Sequence, residues 1–189
     1  MALLTVGIGD CKISNDAADV LVTHALGSCI AMVLYDPVAK VAGLPHYMLP
    51  ESSLDPEKAA GRPYVFADTG IPLLLDQARQ LGAVKSRSVI MAAGGAQMLD
   101  PNNAFNIGQR NQLAMRKACW KAGIIVQREE IGGASSRSLR IDVACGRVRL
   151  KTSPGDEQEL TVNANFAATR NIAATGIGAG HGLQHTHRR

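Results

Sequence analysis

Two apolar runs that flank a turn sequence constrain the fold of this chain more than any other feature. Residues 30–35 (IAMVLY) and 41–49 (VAGLPHYML) are apolar and partly β-branched, which is typical of strands. The segment 36–39 (DPVA) between them carries turn chemistry, because its proline suits the second position of a type I turn. Four-residue hairpin loops are often built on that turn. The pattern predicts a β-hairpin in which Tyr35 pairs with Lys40.

The predicted hairpin brings a cysteine and a histidine together. Counting six residues back along each strand from the pair of Tyr35 and Lys40 places Cys29 opposite His46. Directly opposed residues share a face of the sheet, with Cβ atoms about 5 Å apart. A slip of one residue would put the two side chains on opposite faces. Because Pro45 has no N–H to donate, we expect this second strand to lie at a sheet edge or to bend there.

The rest of the chain is predicted to form short strands and two helices. The helices are predicted at 71–81 and 109–121, because Gly82 and Gly123 are typical of the residue that follows a helix. Further strands are predicted at 3–13, 20–23, 88–92, 124–129, 138–143 and 147–151, with a loop at 50–63 and a tight turn at 144–146. Strands outnumber helices and many neighbours are hairpin-like, which favours an α+β fold with a largely antiparallel sheet.

Length and composition limit the domain organisation and the classes of partner. The 189 residues favour one main domain, which we assign to residues 1–152. A C-terminal extension follows over 153–189; within it, 164–174 favours a helix, and the last dozen residues are expected to be disordered. The net charge of +4 is scattered, and the chain has one Trp, three Tyr and three Phe. Stacking platforms for nucleic acid are therefore not expected.

Neither a membrane insertion nor a metal or cofactor site is predicted. No apolar run approaches the length of a membrane span, and the N-terminus lacks the charged start of a secretory signal. The four cysteines are widely spaced without a C-x-x-C pair, which argues against a zinc site and a disulfide framework. Three C-terminal histidines, His181, His185 and His187, lack the preorganised geometry that a metal site needs. The expected compartment is the cytoplasm, where thiols stay reduced.

Cys29 is the strongest candidate for a nucleophile. A single cysteine is more often a small core residue than a reactive group. Here, however, Gly27 and Ser28 precede it, and small residues let a substrate carbonyl approach the backbone closely. Successive amides at such a turn could also donate hydrogen bonds to an oxyanion. We therefore interpret the segment as a nucleophile and its oxyanion loop, provided that a base lies beside it.

Two histidines compete for the role of that base. His46 has the better-supported position, across from Cys29 in the predicted hairpin, and His24 lies in the segment before the cysteine. A thiol–imidazole pair gains from a third group that orients the ring. Thr23 is the candidate for this role, through its hydroxyl or its main-chain carbonyl.

A series of short motifs occurs in a consistent order over residues 5–151. They are Thr23 with the LGSC segment that ends at Cys29, Y-D-P at 35–37, G-x-x-H-x-M-L-P at 43–50, Asp68 and the helix after it, G-G-A at 94–96, I-G-x-R-N at 107–111, and Gly132-Gly133 followed by Arg137. In these motifs and their order the chain resembles the CheD family of chemoreceptor glutamine deamidases. Two positions depart from the family pattern. Met91-Ala92-Ala93 replaces a lysine and an aromatic residue, and Ser136 replaces a glycine.

The resemblance implies a fold, a reaction and a set of partners. It implies packed, largely antiparallel β-sheets flanked by helices, as in the catalytic domains of deamidating toxins. It implies hydrolysis of glutamine side chains in the cytoplasmic helices of methyl-accepting chemotaxis proteins, with Cys29, His46 and Thr23 as the catalytic residues and no cofactor. Some members of the family also bind the CheC phosphatase, so a CheC-type phosphatase is a possible second partner.

We therefore hypothesise that His46 holds Cys29 as a thiolate at a pH where a free thiol is mostly protonated. Two alternatives stay open at this point. The chain could be a non-catalytic adaptor that binds receptors or a phosphatase, with Cys29 used only for packing. It could also be a different thiol hydrolase, such as a protease or an esterase that removes receptor methyl groups.

Overall fold

The computed structural model describes residues 2–97 and 106–161 of the chain. The helix predicted at 164–174 and the disorder predicted for the last dozen residues lie outside these described residues. The β-strands are β1 (Ala2–Thr5), β2 (Asp10–Ser14), β3 (Asp19–Leu26), β4 (Ile30–Asp36), β5 (Val41–Tyr47), β6 (Val89–Gly94), β7 (Arg128–Ile131), β8 (Ser136–Asp142), β9 (Arg147–Ser153) and β10 (Glu157–Leu160). The helices are α1 (Pro56–Gly61), α2 (Ala67–Gln80) and α3 (Ile107–Ala122), with 3-10 turns at Ser52–Leu54 and Pro63–Val65.

The strands form two five-stranded sheets. The first sheet has the order β1-β3-β8-β9-β10, and the second has the order β2-β5-β4-β6-β7. Only the β1–β3 and β6–β7 pairs are parallel among the described strands, and the other pairs are antiparallel. The predicted α+β class with largely antiparallel sheets is confirmed.

The β4 strand explains the three-layered core, because it is buried on both faces. Its residues Met32 and Leu34 pack with α2, α3 and Ile90, whereas Val33 packs with the first sheet, including Leu139. The described residues therefore stack in three layers: the first sheet, then the second sheet, then the helices α2 and α3. A strand covered on both sides reads as a continuous apolar run, which is why residues 30–35 show no polar alternation.

The predicted helix ends are confirmed to within one residue, but both helices start earlier than predicted. Gly82 and Gly123 follow α2 and α3 with φ angles of +93° and +63°, conformations that glycine adopts at little cost. Helix α2 begins at Ala67, four residues before the predicted 71, and α3 begins at Ile107, two residues before the predicted 109. The loop predicted at 50–63 contains α1, which begins after Asp55 caps its first turn by accepting from the Lys58 amide.

Two predicted strands are also corrected. The run 3–13 is two strands in different sheets, because the chain turns at Gly9, whose φ is +71°. The strand predicted at 124–129 begins only at Arg128. Beyond residue 152, β10 pairs with β9, and Leu160, at 4% exposure, joins the core between the sheets. The domain boundary at 152 stays a prediction.

The predicted hairpin exists, but its register differs by two residues. Asp36 pairs with Val41 and Tyr35 with Ala42, so the proposed pairing of Tyr35 with Lys40 is wrong. The reason is that the Asp36 carboxylate accepts hydrogen bonds from the amides of the turn and ends the ladder instead of starting the loop.

The β5 strand is internal rather than at an edge. It lies between β2 and β4, so of the two outcomes expected from Pro45, an edge or a bend, the edge is wrong. Its pairing with β4 is interrupted between Ala31 and Leu34, across from Pro45. This interruption is the local consequence of a residue that cannot donate to the ladder. Among the described residues, no helix has the length and apolar character required to cross a membrane.

Candidate active site

Thr23 and His46 meet between the two sheets. Thr23 lies on β3 and His46 on β5, with exposures of 0% and 1%. The Thr23 Oγ1 atom is 2.8 Å from His46 Nδ1 and donates a hydrogen bond to the Val6 carbonyl, also at 2.8 Å. A hydroxyl has one proton, and Val6 O can only accept, so Thr23 must accept from Nδ1–H. The predicted third group therefore contacts the ring through its hydroxyl.

This hydrogen bond determines which nitrogen of His46 is a base. With the proton on Nδ1, the lone pair of the neutral ring lies on Nε2. Nε2 is buried and has no hydrogen-bond partner among the described residues. Burial lowers the pKa of His46 to about 4, so the ring is neutral near pH 7. The site therefore contains an oriented imidazole with a free acceptor nitrogen.

Cys29 lies on the same face as His46 but not directly opposite. The residue opposite His46 is Ala31, so the predicted pairing of Cys29 with His46 is wrong by two positions. Because strand faces alternate with a period of two, this shift keeps Cys29 on the His46 face as a diagonal neighbour. Cys29 is half-buried and packs against the apolar cluster between the sheets.

The resting thiol and imidazole are both neutral in this environment. Burial raises the pKa of Cys29, and burial lowers the pKa of His46. The third group, Thr23, is a hydroxyl and carries no charge that would stabilise an imidazolium ion. The resting thiolate expected from the sequence is therefore corrected. If Cys29 is the nucleophile, a proton transfer between the two groups has to accompany its attack on a substrate.

The carbonyls of the cysteine loop point into the scaffold. The Gly27 carbonyl accepts from the Ala96 amide at 2.7 Å, and the Cys29 carbonyl accepts from the Gly95 amide at 2.8 Å. The Ser28 carbonyl accepts from a side-chain amide of α3 at 2.9 Å. In a trans peptide the N–H points away from the preceding C=O. The amides of Ser28 and Cys29 are thus directed away from the scaffold.

This geometry favours Ser28 and Cys29 over Gly27 as sources of oxyanion donors. The Gly27 amide already donates to the Ala25 carbonyl at 3.0 Å, in the bulge where Ala25 has a φ of +57°. Within the described residues, the Ser28 and Cys29 amides donate to no carbonyl. Two adjacent amides that donate to no carbonyl, beside a thiol, are suited to be the donor pair that an oxyanion requires.

Gly94 lets β6 approach the cysteine loop closely. Its φ is +116°, and a Cβ atom there would lie 2.2 Å from the Cys29 carbonyl oxygen. No side chain can be accommodated at that distance, so only glycine allows the neighbouring Gly95 amide to hold Cys29. The double glycine of the sequence therefore helps to hold Cys29 in place.

His24 lies on the other face of β3 from Thr23. Its ring is exposed, and Nδ1 is 3.2 Å from the Ser138 hydroxyl. Successive residues on a strand point to opposite faces, so the neighbour of a buried threonine faces solvent. The structure therefore brings His46, and not the rival His24, to Thr23.

Asn111 is a buried site residue to which the sequence analysis gave no role. It lies on α3 with 0% exposure, and its Nδ2 atom donates to the carbonyls of Ser28 and Met48. Ser28 precedes the cysteine, and Met48 follows His46 by two residues. The available signal was its spacing, because Asn111 shares the buried helix stripe with Ala114 and Ala118.

Comparisons with known proteins identify relatives of this chain. The model of a family described as "CheD chemotactic sensory transduction" matches residues 48–152. A "probable chemoreceptor glutamine deamidase CheD" of Solibacter usitatus is 47% identical over 160 residues, covering 85% of this chain and 94% of the relative. A relative named CheD 1 in Syntrophus aciditrophicus is 48% identical over 160 residues, covering 85% of this chain and 100% of its own length. A relative of the same description in Pyrococcus abyssi is 36% identical, covering 82% and 94% of the two chains.

Proposed function

The chain belongs to the CheD family, and on that premise we propose that it is a chemoreceptor glutamine deamidase. It converts glutamine side chains of methyl-accepting chemotaxis proteins to glutamate and releases ammonia. The observation that supports this reaction best is the hydrogen bond between Thr23 and His46, which leaves the Nε2 lone pair free in the layer that contains Cys29. A neutral, oriented imidazole on the face of a half-buried thiol is suited to acyl transfer.

Cys29 attacks the side-chain amide with His46 as general base. As Sγ bonds to the amide carbon, its proton moves to Nε2, so the ion pair forms only while the substrate is bound. The carbonyl oxygen becomes an oxyanion that the amides of Ser28 and Cys29 stabilise. One such donor contributes about 3 kcal/mol to stabilisation of the transition state. Deferring ionisation in this way fits the pKa directions of both groups.

His46 then donates the proton that it took from Cys29 to the leaving group. The tetrahedral adduct collapses as the C–N bond breaks, and Nε2–H protonates the departing nitrogen to give ammonia and a thioester. Water, activated by the neutral Nε2, attacks the thioester, and the released Cys29 thiol recovers its proton. Thr23 accepts from Nδ1 throughout and so keeps the ring in one orientation.

We propose the cytoplasmic helices of chemoreceptors as the substrate and the cytoplasm as the compartment. A CheC-type phosphatase is a further proposed partner, on the strength of the family resemblance alone. No metal or organic cofactor is assigned a role, because thiol, imidazole and backbone amides account for each step.

Incubation with the cytoplasmic fragment of a chemoreceptor tests this function. Peptide mass spectrometry should find glutamines converted to glutamates with the wild-type protein and none with Cys29→Ala. Cys145→Ala is the matched control, because that cysteine is free and exposed on a hairpin turn and should leave conversion unchanged. Conversion by the Cys29 variant at the wild-type rate would overturn the mechanism.

The same incubation distinguishes the alternatives. Binding of the receptor fragment without any conversion, equal in the wild type and the Cys29 variant, would indicate an adaptor. Release of methanol from a methylated receptor that depends on Cys29 would indicate a methylesterase. Ammonia release that matches the number of converted glutamines supports the deamidase.

A further inference from the structure

Asn111 bridges the two segments that carry the proposed nucleophile and base. Its Nδ2 atom donates to the Ser28 carbonyl at 2.9 Å and to the Met48 carbonyl at 3.0 Å. The chain positions of these acceptors differ by twenty residues, and each is adjacent or nearly adjacent to a group in the mechanism. Both amide hydrogens of one side chain are therefore used to join the Cys29 loop to the end of β5.

This bridge lies where the strand ladder no longer connects the two segments. The pairing between β4 and β5 reaches Ile30 opposite Tyr47 and includes neither Cys29 nor Met48. Beyond that pair, the distance between the cysteine loop and the histidine strand depends on other contacts. Asn111 supplies a direct one, since it binds both sides at once.

Helix α3, which carries Asn111, packs closely against Gly95 and Ala96, the residues that hold the cysteine loop. A Cβ atom on Gly108 would lie 2.6 Å from the Gly95 carbonyl and 2.8 Å from the Ala96 carbonyl. Gly95 and Ala96 are the residues whose amides hold the Cys29 and Gly27 carbonyls. The start of α3 therefore contacts the same two residues that hold the cysteine loop, and this contact fixes the position of the helix that carries Asn111.

The side chain of Asn111 is more polar than packing alone requires. Two carbonyl acceptors orient the NH2 group toward them, so Oδ1 points elsewhere, and it is buried without a partner among the described residues. A buried acceptor without a hydrogen bond opposes folding. An apolar residue would avoid that cost but would leave the Ser28 and Met48 carbonyls without this donor, so the asparagine is explained by the two carbonyls that its donors hold.

We propose that Asn111 is a positioning residue that sets the distance between Cys29 Sγ and His46 Nε2. This inference rests on the proposed deamidase function. A displacement of about 1 Å between reacting groups lowers rates on the order of 100-fold. Loss of the bridge should therefore lower kcat by up to that amount and leave KM unchanged, because the substrate surface is not altered.

Two variants test the bridge. Asn111→Ala removes both donors, and Asn111→Asp keeps the size of the side chain but replaces the donor with an acceptor. Gln127→Ala is the matched control: its side chain also makes two hydrogen bonds to backbone, accepting from Ile90 N and donating to Ser88 O, but both partners lie in one segment on the β6–β7 side of the molecule. Both Asn111 variants should lower kcat, and the control should not.

A double-mutant cycle separates positioning from a general loss of structure. Alkylation of Cys29 by iodoacetamide is measured at mildly alkaline pH in the wild type, His46→Gln, Asn111→Ala and the double variant. If Asn111 acts through the approach of His46 to Cys29, the double variant reacts no more slowly than His46→Gln alone. Independent, additive losses, or an unchanged rate in Asn111→Ala, would overturn the proposal. Because the cycle needs no receptor, it distinguishes failure of the bridge from failure of the deamidase assignment.

Discussion

The β4–β5 hairpin has a buried polar group at each end, and the two ends are satisfied differently. At the turn, the Asp36 carboxylate has 0% exposure and accepts from the amides of Val38, Ala39 and Val84 and from the Arg87 guanidinium, at 2.7–3.1 Å. Burial raises the pKa of Asp36, but these donors outweigh burial and lower it to about 2. At this end of the hairpin, both oxygens of the buried carboxylate accept hydrogen bonds.

At the open end, His46 is almost as buried, but only one of its two ring nitrogens forms a hydrogen bond. Nδ1 donates to Thr23, and Nε2 has no partner among the described residues. Nothing compensates for burial there, so the pKa of His46 falls to about 4. A fully satisfied buried group stabilises a fold, whereas a group with one free lone pair retains the capacity for chemistry.

The largest expected effect tests the chemical end. His46→Gln should lower kcat for deamidation by about 10²–10⁴-fold, because the general base is lost. The thermal unfolding midpoint should change little, since the amide of glutamine can still donate to Thr23. Deamidation assays and calorimetry on the same preparation check both expectations. Retained activity would show that the free nitrogen is not the base.

The opposite outcome is expected for the structural end. Asp36→Ala should lower the free energy of unfolding by about 3 kcal/mol, because Arg87 and buried turn amides lose their acceptor. The folded fraction should keep the wild-type kcat, since Asp36 is at the far end of the hairpin from the site. Urea unfolding and kinetics at low temperature measure the two quantities. A specific loss of kcat would contradict the division between the ends.

Acid should also distinguish the two ends. The pKa of His46 is about 4 in the folded protein against an ordinary value of 6.5, so the unfolded chain binds the proton more readily between those values. Stability present above pH 6.5 is therefore lost as the pH falls toward 4, by about 3 kcal/mol. Asp36 contributes only in a lower window, from its ordinary 3.8 down to about 2. Urea midpoints between pH 7 and 4.5 should fall in the wild type and less in His46→Gln.

The smallest effect is expected at Thr23. Thr23→Val removes the hydroxyl with little change in volume, so His46 loses the acceptor that orients its ring. We expect kcat to fall by about 5- to 10-fold, as one neutral hydrogen bond contributes about 1 kcal/mol. Thr23→Ser keeps the hydroxyl and should retain most of the activity. Equal rates for the two variants would show that the ring needs no such acceptor.

Local sequence signals predicted the parts of the fold that depend on neighbours in the chain. The two strands of the hairpin, the glycines after α2 and α3, and the shared face of Cys29 and His46 all follow from short-range patterns. Cys29 and His46 share a face as predicted, although the predicted register was wrong, because the register error was an even number of residues. The candidate trio came from this pattern together with the family resemblance.

Long-range contacts determined what the sequence did not predict. The Asp36 carboxylate that ends the ladder accepts not only from its own turn but also from Val84 and Arg87, residues far along the chain. Asn111 reaches two loops that no spacing rule connects to α3. The neutrality of Cys29 and His46 follows from burial between two sheets, which depends on the packed molecule and not on the residue types alone.

The raised pKa of Cys29 has a consequence for oxidants and for inhibitors. Peroxide reacts with cysteine according to its thiolate character, so a protonated sulfur is slow to form sulfenic acid under oxidative stress. Simple electrophiles should label it slowly for the same reason. A covalent inhibitor should react faster than such a simple electrophile if it imitates a helix-borne glutamine, because its binding would promote proton transfer from Cys29 to His46.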